Sequence, residues 1–240
     1  MTKVLLVSQD KGGTGKTLIS RGLAEIVPGA PVFEIDSSPR MIELGKRVQF
    51  FPMRANRDEI ERSGGAVSRS EFDPVINAIA SATLPTIVDI GANTGASLLG
   101  VIAGLTDDFT AAGVKFGLLV VTTVEPGALA EVPKLLSIAA PWTTARFLIE
   151  NRIHGDIDPK TLSKLASGVT VTCLMKQVMD ENAAAILQAG GLAPIARLDA
   201  NALNAKFGIA QGGRIRRDLT RTRLEVMQAV RLGGEWLVAP

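Results

Sequence analysis

The sequence predicts an α/β protein, a mostly parallel sheet with helices on both faces. Three observations predict it. Short apolar, β-branched runs alternate with stretches of helical period along the 240 residues, the order that parallel strands and their crossover helices impose. Several runs are apolar throughout rather than alternating, as strands covered on both faces are. A loop rich in Gly and Lys then joins the first run to the first helix, a connection suited to holding an anion at a helix N-terminus.

Taken in order, the strand-like runs are residues 3–8, 31–35, 86–90, 115–123, 145–151 and 169–173. Between them, 17–26 reads as a helix ended by Val27-Pro28-Gly29, 71–82 as a second and 128–139 as a third closed by Pro141. A fourth covers 180–189 and stops at Gly190-Gly191, and a basic helical segment occupies about 206–232. Residues 50–70 are the least regular. There Arg54, Arg57, Asp58, Glu59, Glu61 and Arg62 precede Gly64-Gly65, which reads as a mobile, solvated segment. No repeat, low-complexity tract or linker divides the chain, so one domain over 1–240 is expected.

Composition narrows the function classes. With 26 Lys+Arg against 24 Asp+Glu and 46% hydrophobic residues, the chain is globular in character, and its net charge of +2 makes no global case for nucleic acid. A single cysteine, Cys173, excludes an intramolecular disulfide and a multi-Cys metal site. Lying in the apolar run 169–174, it is expected to be a small buried hydrophobe. The apolar N-terminal run and residues 98–105 are both too short for a signal peptide or a membrane span, so a cytoplasmic location is expected. His154 has no second His or Cys to join it and reads as a surface loop residue, while Trp142 and Trp236 read as packing residues.

The strongest motif is Lys11-Gly12-Gly13-Thr14-Gly15-Lys16-Thr17. Its glycines let successive backbone N–H groups converge on phosphate oxygens, and the helix that follows adds partial positive charge. Lys16 then reaches the β and γ phosphates, and the Thr17 hydroxyl is placed to ligate Mg²⁺. The fold expected around such a loop is P-loop NTPase-like. The loop departs from the common G-x-x-x-x-G-K-[ST] form in two ways, because Asp10 stands at the first glycine and a second lysine, Lys11, opens the motif.

In that departure the chain resembles the deviant Walker A ATPases of the ParA/MinD type, in a manner closest to plasmid-borne members serving partition, stability or conjugation. The resemblance implies that Lys11 reaches the nucleotide of a second subunit, so that two protomers sandwich two ATP molecules. The segment Asp36-Ser37-Ser38-Pro39 is similar to the family's D-x-D segment followed by Pro, with Asp36 as the first acid, catalytic and facing the metal. Ser38 replaces the second acid, and a serine hydroxyl holds a water without accepting its proton at neutral pH, which implies slow hydrolysis. Ile87-Val88-Asp89-Ile90-Gly91 resembles a Walker B strand, with Asp89 holding Mg²⁺ through water, Gly91 N–H sensing the γ-phosphate and residues 92–95 forming a moving loop. Asn151 and Arg152 match the strand end that meets the adenine in this family; Asn151 also reads as a plain turn residue.

Near the C-terminus, Ile215, Leu219, Thr222, Val226 and Val230 fall on one helical face, while Arg214, Arg217 and Arg221 lie opposite. This is a docked helix with an arginine ridge, either a plain solvated face or a surface for non-specific DNA or a plasmid-encoded partner. The Gly-rich end of the chain, 232–240, disfavours a membrane-lying helix. The expectation is an ATP- and Mg²⁺-binding switch ATPase that forms a homodimer on ATP. The alternatives are a module that binds ATP without turnover and a small-molecule P-loop ligase or kinase of the dethiobiotin-synthetase-like kind.

Overall fold

The computed structural model describes residues 1–53 and 66–240. Its strands are β1 (Thr2–Ser8), β2 (Val32–Asp36), β3 (Val48–Pro52), β4 (Thr86–Ile90), β5 (Val114–Thr122), β6 (Thr143–Asn151) and β7 (Thr170–Leu174). They form one sheet in the order β3-β2-β4-β1-β5-β6-β7, and every neighbouring pair is parallel. The helices are α1 (Lys16–Ile26), α2 (Ala66–Ala80), α3 (Gly95–Ala103), α4 (Thr106–Ala111), α5 (Pro126–Ala139), α6 (Pro159–Leu165), α7 (Glu181–Gly190) and α8 (Ala200–Val238). The fold is α/β, a parallel sheet with helices on both faces, as the sequence predicts.

Two apolar layers hold the sheet, and strand alternation sorts residues between them. Leu5 and Val7 of β1 face α1 and α8, where Ile19, Leu23, Leu219 and Val226 complete one core. Val4 and Leu6 face the other way, onto Phe72 and Ile79 of α2, Leu98 of α3 and Leu135 of α5. Trp142 packs edge-on against Phe116, and Trp236 lies beside Phe147, so both tryptophans are packing residues.

The structure corrects several expectations. Part of the segment read as irregular is strand β3, an edge strand that is half-buried and ends in Pro52, a pattern too weak to announce a strand. The charged residues Arg54 to Arg62 and Gly64-Gly65 lie outside the described residues. Helix α3 begins at Gly95, the last residue of the segment 92–95. Helix α8 extends past both expected ends, with one break at Gly208, whose φ is 77°. Gly233 and Gly234, read as a helix end, are buried inside it; a Cβ on Gly233 would stand 3.3 Å from Leu119, so these glycines let α8 lie close on the sheet and α1. Cys173 is exposed, because β7 is the other edge strand and its outer face has no cover. Among the described residues no helix is long and apolar enough to cross a membrane.

Candidate functional site

At the carboxyl edge of the sheet, residues 9–15 turn the chain from β1 back into α1. Gly13 and Gly15 take φ of 79° and 96°, which a side chain would resist. Gly15 is constrained twice, since a Cβ there would stand 2.7 Å from Asn151 Nδ2. Buried Gln9 braces the loop from below: Nε2 donates to Val121 O at 3.1 Å and Ala128 O at 3.0 Å, and Oε1 accepts the Lys11 N–H at 3.2 Å. Asn151 Nδ2 donates to Thr14 O at 2.9 Å.

Asp10 supplies a further brace. Its carboxylate accepts the backbone N–H of Gly95 at 2.6 Å and of Ala96 at 3.2 Å, and its carbonyl accepts the Asn93 N–H at 3.0 Å. The acid that displaced the first glycine therefore caps α3 across 85 positions of sequence and fastens the loop after β4 to the phosphate loop. Gly95 is obligatory there, since a Cβ would meet Ser8 Oγ and stand 2.7 Å from Asp10 Oδ1.

Lys16 is 8% exposed, and its ammonium donates to Lys11 O at 3.5 Å. Burial pushes its pKa below the ordinary 10.5, against the pull of the Asp89, Asp10 and Asp36 carboxylates. Asp89 closes the floor: Oδ1 accepts the Ser20 hydroxyl at 2.7 Å and Oδ2 the Thr17 hydroxyl at 3.1 Å. Burial drives the Asp89 pKa upward, opposed by the Ser20 hydroxyl and the Lys16 charge. On β2, Glu34 pairs in register with Asp89 and is 1% exposed. Its Oε1 accepts the Arg40 N–H at 2.6 Å, and burial raises its pKa also. Asp36 Oδ1 accepts the Ser37 N–H at 2.6 Å, and Oδ2 pairs with Arg40 Nε at 3.0 Å.

These elements enclose a cleft of about 290 Å³, lined by Gly12 to Leu18, Asp36, Arg40 and residues 89–92. It brings together the sequence-predicted Gly12, Gly13, Thr14, Gly15, Lys16, Thr17, Asp36, Asp89 and Gly91. The Gly91 N–H donates to Ile35 O at 2.6 Å, so the expected γ-phosphate sensor is held in the sheet. Lys11 is exposed beside the cleft, its stem near Gly127 at the start of α5. Asn151 sits beneath the loop rather than on the cleft wall. Arg152 is paired with buried Glu150 at 2.8 Å, a contact that raises its pKa. Ser38 is exposed and does not line the cleft. Arg214, Arg217 and Arg221 are on the outer side of α8, with Ile215, Leu219, Thr222, Val226 and Val230 buried on its opposite face.

Sequence reasoning missed Gln9, Ser20, Glu34 and Arg40, and gave Asp10 no role. Ser20 had a signal, because it lies one helical turn after Lys16 and shares its face. Glu34 had another, as an acid inside an apolar strand. Asp10 had none, since its partners are distant in sequence.

No protein-family model matches the chain, and no curated protein matches it. Among solved structures it is similar to a McdA variant from Cyanothece in complex with ATP, at 13% identity over 92% of this chain and 96% of that one, with a TM-score of 0.47. It is also similar to the MinD cell division protein of Aquifex aeolicus, at 16% identity over 92% and 96% of the two chains, TM-score 0.44. A nucleotide-binding protein from Archaeoglobus fulgidus in complex with ADP gives 16% identity over 78% and 86%, TM-score 0.44. Likeness at this level carries no argument about activity; what this site can do follows from its own residues.

Proposed function

We propose that the protein binds ATP with Mg²⁺ in the cleft at the carboxyl edges of β1 and β4, pairs with a second copy around the nucleotide, and serves as a slow switch ATPase in DNA or plasmid segregation or transfer. The observation that carries this reading is the cluster Lys16–Thr17–Asp89–Ser20, where a buried ammonium, a buried carboxylate and two hydroxyls lie under a loop of glycines. The donor set fits the ligands. A hydroxyl and one or two carboxylates beside a phosphate site are what Mg²⁺ with a polyphosphate uses, and Thr17, Asp89 and Asp36 supply them. Bound there, Mg²⁺ supplies neutralisation of charge on the phosphate oxygens.

The chain's own residues divide the remaining work. The loop N–H groups and Lys16 bind phosphate oxygens. Thr17 presents its oxygen to the metal while its hydroxyl donates to Asp89, and Asp89 is held in place by Ser20. Asp36, at the open rim, is the carboxylate placed to orient water. Lys11 extends across an interface to the partner's nucleotide, since among the described residues only its backbone is hydrogen-bonded. The arginine ridge on α8 then gives the dimer two cationic surfaces for DNA phosphates.

A second reading, ATP binding without turnover, is favoured by Ser38, which is exposed and outside the cleft lining. Light scattering with ATP and Mg²⁺ tests the switch itself. The parent should shift from monomer to dimer, and Lys11→Ala should bind ATP yet stay monomeric. A variant that dimerises as the parent does removes Lys11 from the interface.

A further inference from the structure

Two basic side chains, Lys16 and Arg40, line the cleft. Arg40 follows Pro39 in the loop after β2 and lines the cleft opposite Lys16, with the end of β4 between them. Its backbone is clamped on both sides. The N–H is taken by Glu34 Oε1 at 2.6 Å, and the carbonyl accepts Arg21 Nη2 at 2.7 Å. Both clamps are themselves anchored: Glu34 is 1% exposed within β2, and Arg21 is bound to Glu43, Nε to Oε1 at 2.6 Å and Nη2 to Oε2 at 3.3 Å. The next residue, Met41, is fully buried.

The side chain is treated differently from the backbone. Its guanidinium is 56% exposed and engages Asp36 through Nε at 3.0 Å; among the described residues its Nη groups have no partner. A buried glutamate is a costly way to fix a loop, since burial disfavours its charge. It makes physical sense if the place of Arg40 matters. Arg40 and Lys16 present like charges to one cleft from opposite walls, and the Arg40 charge depresses the Lys16 pKa. An anion between the two relieves that repulsion.

We infer that Arg40 is the residue that recognises the terminal phosphate of a nucleoside triphosphate, held in position by Glu34 and Arg21 and restrained by Asp36. The inference rests on the phosphate-loop reading and adds a specificity to it. The loop glycines take the phosphates next to α1, which a diphosphate also carries, and Lys16 spans the last two; Arg40, on the far wall, adds a second cation at the one that only the triphosphate has. Its planar fork suits two oxygens of a single phosphate, which an ammonium does not match. Arg40 thereby sets the preference for triphosphate over diphosphate.

Calorimetric titration of the full chain in Mg²⁺, with a non-hydrolysable ATP analogue and separately with ADP, tests this without requiring turnover. Arg40→Ala should weaken the analogue roughly 10- to 100-fold and ADP by no more than about 2-fold, the worth of a charge-assisted bond made by one ligand alone. Arg40→Lys should recover only part of the loss. Equal affinity of parent and Arg40→Ala for the analogue, or equal losses for both nucleotides, overturns the assignment. If the parent binds neither nucleotide, the phosphate-loop reading fails and this one with it; if the parent binds both and Arg40→Ala is indifferent, this one fails alone.

Discussion

Asp10 stands where a phosphate loop ordinarily opens with glycine, and it uses both carboxylate oxygens on the N–H groups that begin α3. The phosphate loop and the start of α3 are thus joined through one side chain. Asp89 shows the same economy, accepting two hydroxyls of α1 while balancing the Lys16 charge in a site that disfavours both ions. Ser38 is exposed two residues from Asp36 and does not line the cleft. If slow turnover follows from a missing carboxylate, Ser38→Asp should raise the steady-state ATPase rate about 10-fold or more, within the usual range for a general base. An unchanged or lower rate in a variant that still binds ATP would show that the rim loop does not carry the chemistry.

At the scale of elements, α1 depends on a cap supplied from outside. Arg47 donates to Ala24 O and Val27 O, each at 3.0 Å, and to Ala30 O at 2.9 Å, answering carbonyls that the end of a helix leaves without partners. Arg47→Ala should cost about 1–3 kcal/mol, a fall of several degrees in Tm for a chain of this size, with Arg47→Lys regaining less than half because an ammonium cannot span three carbonyls. A Tm within about 1 °C of the parent would show that water replaces the cap at no cost. This cap and the one on α3 mark the limit of what the sequence discloses. The apolar strands β1, β4 and β5 and the face of α8 announce themselves through local periodicity, and the loop from Lys11 to Thr17 through its glycines. Helix α3 does not, because its N-terminal partner is Asp10. Strand β3 does not, because an edge strand needs no full apolar run, and α8 outruns its expected end because Gly233 and Gly234 serve packing there rather than termination. The candidate site was legible where its residues stand in short motifs at strand ends, as at Lys11 to Thr17, Asp36 and Asp89. It was not at Gln9, Glu34 and Arg40, whose roles depend on what the fold places beside them.

Across the whole molecule, the cleft and the arginine ridge are separate features, and α8 bridges them by packing on α1 and on the sheet. Arg223 pairs with Glu25 of α1, whereas Arg214, Arg217 and Arg221 lie on the side of α8 turned away from that packing. If the ridge meets DNA, replacing those three by Ala should weaken binding to every duplex alike. The dependence of log K on log salt should flatten by about 0.9 for each phosphate no longer neutralised, with ATP affinity unchanged. An unaltered salt slope in gel-shift titrations would return the ridge to an ordinary solvated face. All of this depends on the cleft being a nucleotide site, and calorimetric titration of ATP with Mg²⁺ into the parent and into Lys16→Ala measures that most directly. The parent is predicted to bind one ATP per chain saturably, and the variant to lose at least about 100-fold in affinity while its thermal unfolding still shows a cooperative fold, because the ammonium that meets the phosphates is gone. Undiminished ATP affinity in Lys16→Ala, or no binding by the parent, would contradict the nucleotide-site reading.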